Sequence, residues 1–124
     1  MKVSTKFQHL FNLTDDTGIL QHSLYSIPDL TKGYTTDDNS RALIAASMLY
    51  EVYKDKKYLD LLKRYLSFLI YAQNSKGYFR NFMNYNREFI EEEEVGSEDC
   101  FGRCLWSLGY LLNTNLSNGF KNVA

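Results

Sequence analysis

Apolar residues recur at helical spacing in four stretches of the chain, separated by segments without that period. Phe7, Leu10, Phe11 and Leu13 predict a short helix from about Ser4 to Leu13. From Thr14 to Thr36 the period is lost. Asp15-Asp16-Thr17-Gly18, Ile27-Pro28-Asp29 and Lys32-Gly33 read as a long irregular connection, a kind of segment often kept for function. A second helix is expected to open after the capping residue types Thr36, Asp37 and Asp38 and to run to about Lys54. Its body, Ala42 to Tyr50, is apolar nearly all round, which predicts burial on every side.

A third helix, from about Lys57 to Asn74, carries one apolar stripe of Leu62, Tyr65, Leu66, Leu69 and Ala72. Asp60, Lys63, Arg64 and Ser67 fall opposite, so it reads as a one-sided surface helix with Gly77 as its stop. Tyr78 to Tyr85 is expected to be extended or looped, and the acidic run Glu91–Glu94 to be a solvated loop. Gly96-Ser97-Glu98-Asp99 introduces a fourth helix to about Leu112. Phe101, Cys104, Leu105, Trp106, Leu108 and Leu111 surround it, so it too is expected to be buried. The tail from Asn113 is polar, rich in Asn, and expected to fray or to wrap loosely. Surface, buried, surface, buried is an alternation of outer and inner helices. The expected fold is all-α, about two helical hairpins of an α/α toroid with long loops, in a single domain over residues 1–124.

An internal repeat fits this layout. Thr35–Leu43 set over Ser97–Leu105 matches Asp37 with Asp99, Arg41 with Arg103 and Leu43 with Leu105, at an offset of 62 residues. Both copies open a helix expected to be buried.

Composition narrows the classes. The 124 residues include ten Tyr and eight Phe, side chains that suit either packed helices or a sugar-binding cleft. A net charge of −1 with no concentrated basic face argues against nucleic acid. No apolar run approaches the length of a membrane span, and the start lacks the apolar core of a signal peptide, so a cytoplasmic setting is expected. Cys100 and Cys104 give no disulfide framework and read as small buried hydrophobes. His9 and His22 belong to no ligand-spaced cluster, so no metal site and no cofactor is expected.

The candidate chemistry lies in the carboxylates at the two inner-helix entrances, Asp37 with Asp38 and Glu98 with Asp99. Glycoside chemistry uses two carboxyl groups, one to protonate the leaving oxygen and one as base or nucleophile; Asp38, Glu98 and Asp99 are the catalytic candidates. The same residue types at helix starts also serve as plain caps. Arg41 and Arg103 each follow an Asp by four residues, on one helix face, which predicts a single charged network of Asp37, Arg41, Asp99 and Arg103. That network serves either a site or a structural salt bridge.

Asp15-Asp16-Thr17-Gly18-Ile19-Leu20-Gln21-His22, followed by Gly33-Tyr34-Thr35-Thr36-Asp37-Asp38-Asn39-Ser40-Arg41, resembles the six-hairpin glycosidase-like domain of bacterial carbohydrate proteins, often joined to a glycosyltransferase. Gly77-Tyr78-Phe79-Arg80-Asn81-Phe82-Met83 and Gly96-Ser97-Glu98-Asp99-Cys100-Phe101-Gly102-Arg103 extend the likeness, which covers about residues 7 to 112. It implies a toroid of six hairpins whose mouth binds sugar, with Tyr34, Asp37, Asp38, Arg41, Asn81, Glu98, Asp99 and Arg103 as substrate-binding residues. It assigns no reaction. The present chain supplies about two hairpins, which would leave the flanks of its inner helices open and predicts a homo-oligomer that covers them. Two functions follow: a module that binds or processes a glycan, or a non-catalytic helical module of assembly and interaction.

Overall fold

Five α-helices and four two-residue strands make up the computed structural model, which describes residues 7–90 and 98–124. They are α1 (Gln8–Asn12), β1 (Ser23–Leu24), β2 (Ile27–Pro28), β3 (Tyr34–Thr35), α2 (Thr36–Tyr53), α3 (Lys56–Ala72), β4 (Phe82–Met83), α4 (Glu98–Leu112) and α5 (Asn118–Val123). The chain is predominantly helical, as its pattern predicts. The expected helix start at Ser4, the Glu91–Glu94 run and Gly96-Ser97 lie outside the described residues.

Helix α2 is the element against which the others pack, with α3 on one side and α4 on another. Its small residues Ala42, Ala46 and Ser47 are buried and allow close approach, while Leu43 is wholly enclosed. Lys54, in the left-handed conformation at φ 56°, donates its N–H to Tyr50 O and ends α2. Asp55 then accepts the N–H of Lys57 and starts α3, so the two helices run antiparallel across a tight reversal. Helix α4 runs parallel to α2. Arg103, near its start, meets Asp37 at the start of α2, and the Tyr110 hydroxyl, near its end, donates to Glu51 near the end of α2.

The expectation that α2 and α4 are buried on every side is overturned. Met48 and Val52 on α2 are 50 % and 70 % exposed, and Leu105, Trp106 and Leu112 on α4 lie open to solvent. Each helix has a neighbour on only part of its circumference. On α4 the buried stripe is Cys100, Cys104, Ser107 and Leu111, one line at helical spacing. The broadest buried face belongs to α3, where Tyr58, Leu61, Leu62, Tyr65, Leu66, Phe68, Leu69 and Ala72 form the centre of the core.

Three further expectations change. The segment from Thr14 to Thr36 is ordered: Tyr25, at φ 56°, turns a small hairpin of β1 and β2, and Asp29 caps a 3-10 turn at Leu30–Lys32. Helix α3 stops at Ala72 instead of at Gly77, which at φ 90° belongs to the next turn. In that turn Asn74 accepts the N–H groups of Lys76 and Tyr78, and the chain doubles back so that Arg80 N–H reaches Ala72 O. The tail docks: Leu116 is buried and Phe120, on α5, packs against the core.

Candidate functional site

The entrance of α2 is built by reciprocal polar contacts. Thr35 is the N-cap: its hydroxyl accepts the N–H of Asp38 at 3.1 Å and donates to Asp38 Oδ2 at 2.7 Å. The N-cap hydroxyl thus serves the backbone and the side chain of Asp38 at once. The returning strand supplies the rest. Asn81 O accepts the N–H of Thr36 at 2.9 Å and Asn81 Oδ1 accepts that of Asp37 at 3.2 Å, while the Thr36 hydroxyl donates to Arg80 O. Pairing of β3 with β4, Tyr34 to Met83 and Thr35 to Phe82, fixes that register. Gly33 makes it possible: at φ 64° a Cβ there would stand 2.2 Å from Met83 O.

Asp37 projects beside this entrance and meets two guanidinium groups. Arg103 Nε lies 2.7 Å from Asp37 Oδ1, and Arg41 Nη2 lies 3.4 Å from Oδ2. The first contact is an ion pair without hydrogen-bond alignment. All three side chains keep a quarter to a half of their surface exposed, while the Asp37 Oδ1 and Arg103 Nε atoms of the first contact are themselves buried. Behind it the Cys104 thiol is held protonated, its pKa raised first by its hydrogen bond with Cys100, then by burial and by the charges of Cys100 and Asp37. Cys104 is therefore no thiolate nucleophile.

The structure brings together Asp37, Asp38, Arg41, Asn81 and Arg103 of the eight expected residues. Asp38 is engaged by Thr35, and Asn81 works through its backbone and side-chain oxygens as a cap. Tyr34 stands behind the entrance with no exposed surface. Its hydroxyl donates to Asp15 Oδ2, and burial, followed by that carboxylate, raises its pKa. Glu98 and Asp99 are exposed at the start of α4 and form no salt bridge among the described residues. The expected four-membered network is thus three-membered: Arg103 bridges to the neighbouring helix instead of to Asp99.

Sequence reasoning missed a second set of residues. Asp15 Oδ1 accepts the N–H groups of Thr17 and Gly18, and the wholly buried Asn39 bonds both N–H and C=O of Ile19, which together tie the Asp15–Leu20 loop to α2. Across from it, the turn after β4 ends in Arg87, at φ 67° in the left-handed region that favours Gly or Asn. Its guanidinium reaches Asp16 Oδ1 at 2.7 Å. Both side chains are more than half exposed, so the pair contributes about 0.2–1 kcal/mol, no more than such a backbone conformation costs, about 1–3 kcal/mol. Beneath the pair is a cleft of about 260 Å³, lined by Asp16, Thr17, Ser67, Phe68, Tyr71, Met83 and Arg87. The signal for it is the Asp15-Asp16-Thr17-Gly18 stretch, which the sequence marks as loop and as part of the resemblance but not as a site.

Among the described residues no group of His, Cys, Asp and Glu has a metal-holding arrangement, and no helix is long and apolar enough to cross a membrane. Fold and site together define a mostly α-helical domain with a charged, capped helix entrance. No protein-family model matches the chain, and no curated protein matches it.

Proposed function

We propose that the chain is a carbohydrate-binding module, a partial α/α toroid of about two hairpins whose mouth lies at the entrance of α2. The toroid reading is supported by the run of α2 parallel to α4 and antiparallel to α3, the relation that inner helices have to one another and to outer ones. The observation that carries the binding reading is Asp37 set between Arg41 and Arg103, whose side chains stay 53 % and 37 % exposed. A carboxylate accepts and a guanidinium donates in a fixed fork, so neighbouring hydroxyls of a sugar are engaged from both sides.

Binding is favoured over catalysis. A general acid or base needs a carboxyl free to exchange its proton with the substrate. Thr35 occupies Asp38, and two cations hold Asp37. Glu98 and Asp99 are the carboxylates left for a hydrolytic or transfer step, and a cytoplasmic location belongs to the same reading. Calorimetric titration with mono- and oligosaccharides tests it. A saturable heat is expected, with the share that belongs to the entrance of α2 lost in Arg103→Ala; no heat with any glycan from folded protein contradicts it.

A second reading, a non-catalytic assembly module, is favoured by the exposed apolar flanks of α2 and α4. In it, Met48 and Val52 of one copy and Leu105 and Trp106 of another cover each other.

A further inference from the structure

We infer that the cleft under the Asp16–Arg87 pair is a second carbohydrate subsite, sized for a single pyranose ring and separate from the entrance of α2. Its walls come from three parts of the chain: the Asp15–Leu20 loop, the C-terminal half of α3, and the turn after β4. At about 260 Å³, below the roughly 300–1,000 Å³ of pockets that take drug-sized ligands, the cleft suits one ring.

The lining has the two kinds of surface that a sugar needs. Tyr71, 60 % exposed, offers an aromatic face for the apolar side of the ring, and the buried Phe68 and Met83 make an apolar floor. Ser67 and Thr17 bring hydroxyls, Asp16 brings acceptors and Arg87 donors. Asp16 Oδ1 already takes Arg87 and the Thr17 hydroxyl, while its Oδ2 accepts nothing among the described residues. The balanced charge of the pair suits a neutral, polyhydroxylated ligand better than an anion.

Arg87 is the strongest single sign. Its backbone position favours Gly or Asn, and an ion pair so exposed gives little stability in return. A long cationic side chain held there in spite of the strain fits a task at the cleft rim. The Arg80 guanidinium, 4.4 Å from the Phe89 ring centre, and Phe89 against Phe68 and Tyr71 fix the turn that carries Arg87.

The inference rests on the carbohydrate reading but on different residues. Amide spectra of the full chain, titrated with a panel of methyl pyranosides, test both. Expected are saturable shifts at Asp16, Thr17, Ser67, Tyr71 and Arg87, weakened at least tenfold by Tyr71→Ala and by Arg87→Ala and unchanged by Arg103→Ala. Tyr71→Phe, which keeps the ring, should retain binding and guards against a folding artefact. Shifts confined to Asp37, Arg41 and Arg103 overturn the cleft and leave the entrance site standing. Shifts confined to the cleft do the reverse, and shifts at neither place overturn both.

Discussion

Asn39 and Tyr34 show what a wholly buried polar side chain does here: each fastens a loop to the helical core. Asn39 holds both backbone groups of Ile19 and the carbonyl of Thr35. Asn39→Ala strands those groups and should cost about 2–3 kcal/mol in urea unfolding; a loss under about 0.5 kcal/mol contradicts this role. Buried phenols also set an alkaline limit. Burial lifts Tyr65 to about 12 and raises Tyr34 as well, from an ordinary 10.0. Between pH 10 and about 12 the unfolded chain releases protons that the folded chain keeps, so stability should be full below pH 10 and fall as pH rises through that window. Circular-dichroism melts across pH 9–12 check it; flat melting temperatures oppose it. Neither fastener was legible in the sequence as such. An Asn among the polar residues of a helix start and a Tyr beside a glycine carry no mark of a partner in a distant loop.

At the scale of elements, the start of α2 gathers most of the expected site residues because it is where three segments meet. Thr36, Asp37 and Asp38 are the capping types expected ahead of the helix, yet the N-cap is Thr35 and those three form the first turn; Asn81 arrives from a strand across the chain, a partner that spacing does not mark. Thr35→Ala should destabilise by about 1 kcal/mol, the ordinary worth of an N-cap, read by chemical denaturation. No measurable change argues that the cap contributes nothing. The lengths of α2 and α3 followed from apolar period to within a few residues. The burial of α2 and α4 did not, since an apolar circumference is buried only where neighbours exist to cover it. Likewise the partner of Arg103 was misjudged. Spacing favours Asp99 on the same helix, whereas packing brings the guanidinium to Asp37 on the next one.

For the whole molecule, parallel α2 and α4 with antiparallel α3 leave two open apolar flanks. Trp106, the only tryptophan and 61 % exposed, reports on one of them. As a monomer the protein should emit at the red-shifted wavelength of a solvated indole; if copies assemble, emission should shift to the blue with rising concentration while the sedimentation coefficient increases. A monomer at all micromolar concentrations would set aside the assembly reading. Sugar recognition as proposed belongs to the entrance of α2, between Asp37, Arg41 and Arg103. Its most direct measurement is calorimetric titration of wild type and Arg103→Ala with oligosaccharides, both checked for native melting. Saturable binding by wild type is expected, with the variant losing the share that belongs to the entrance and keeping at most that of the cleft; equal binding by the two, or none by a folded wild type, contradicts it.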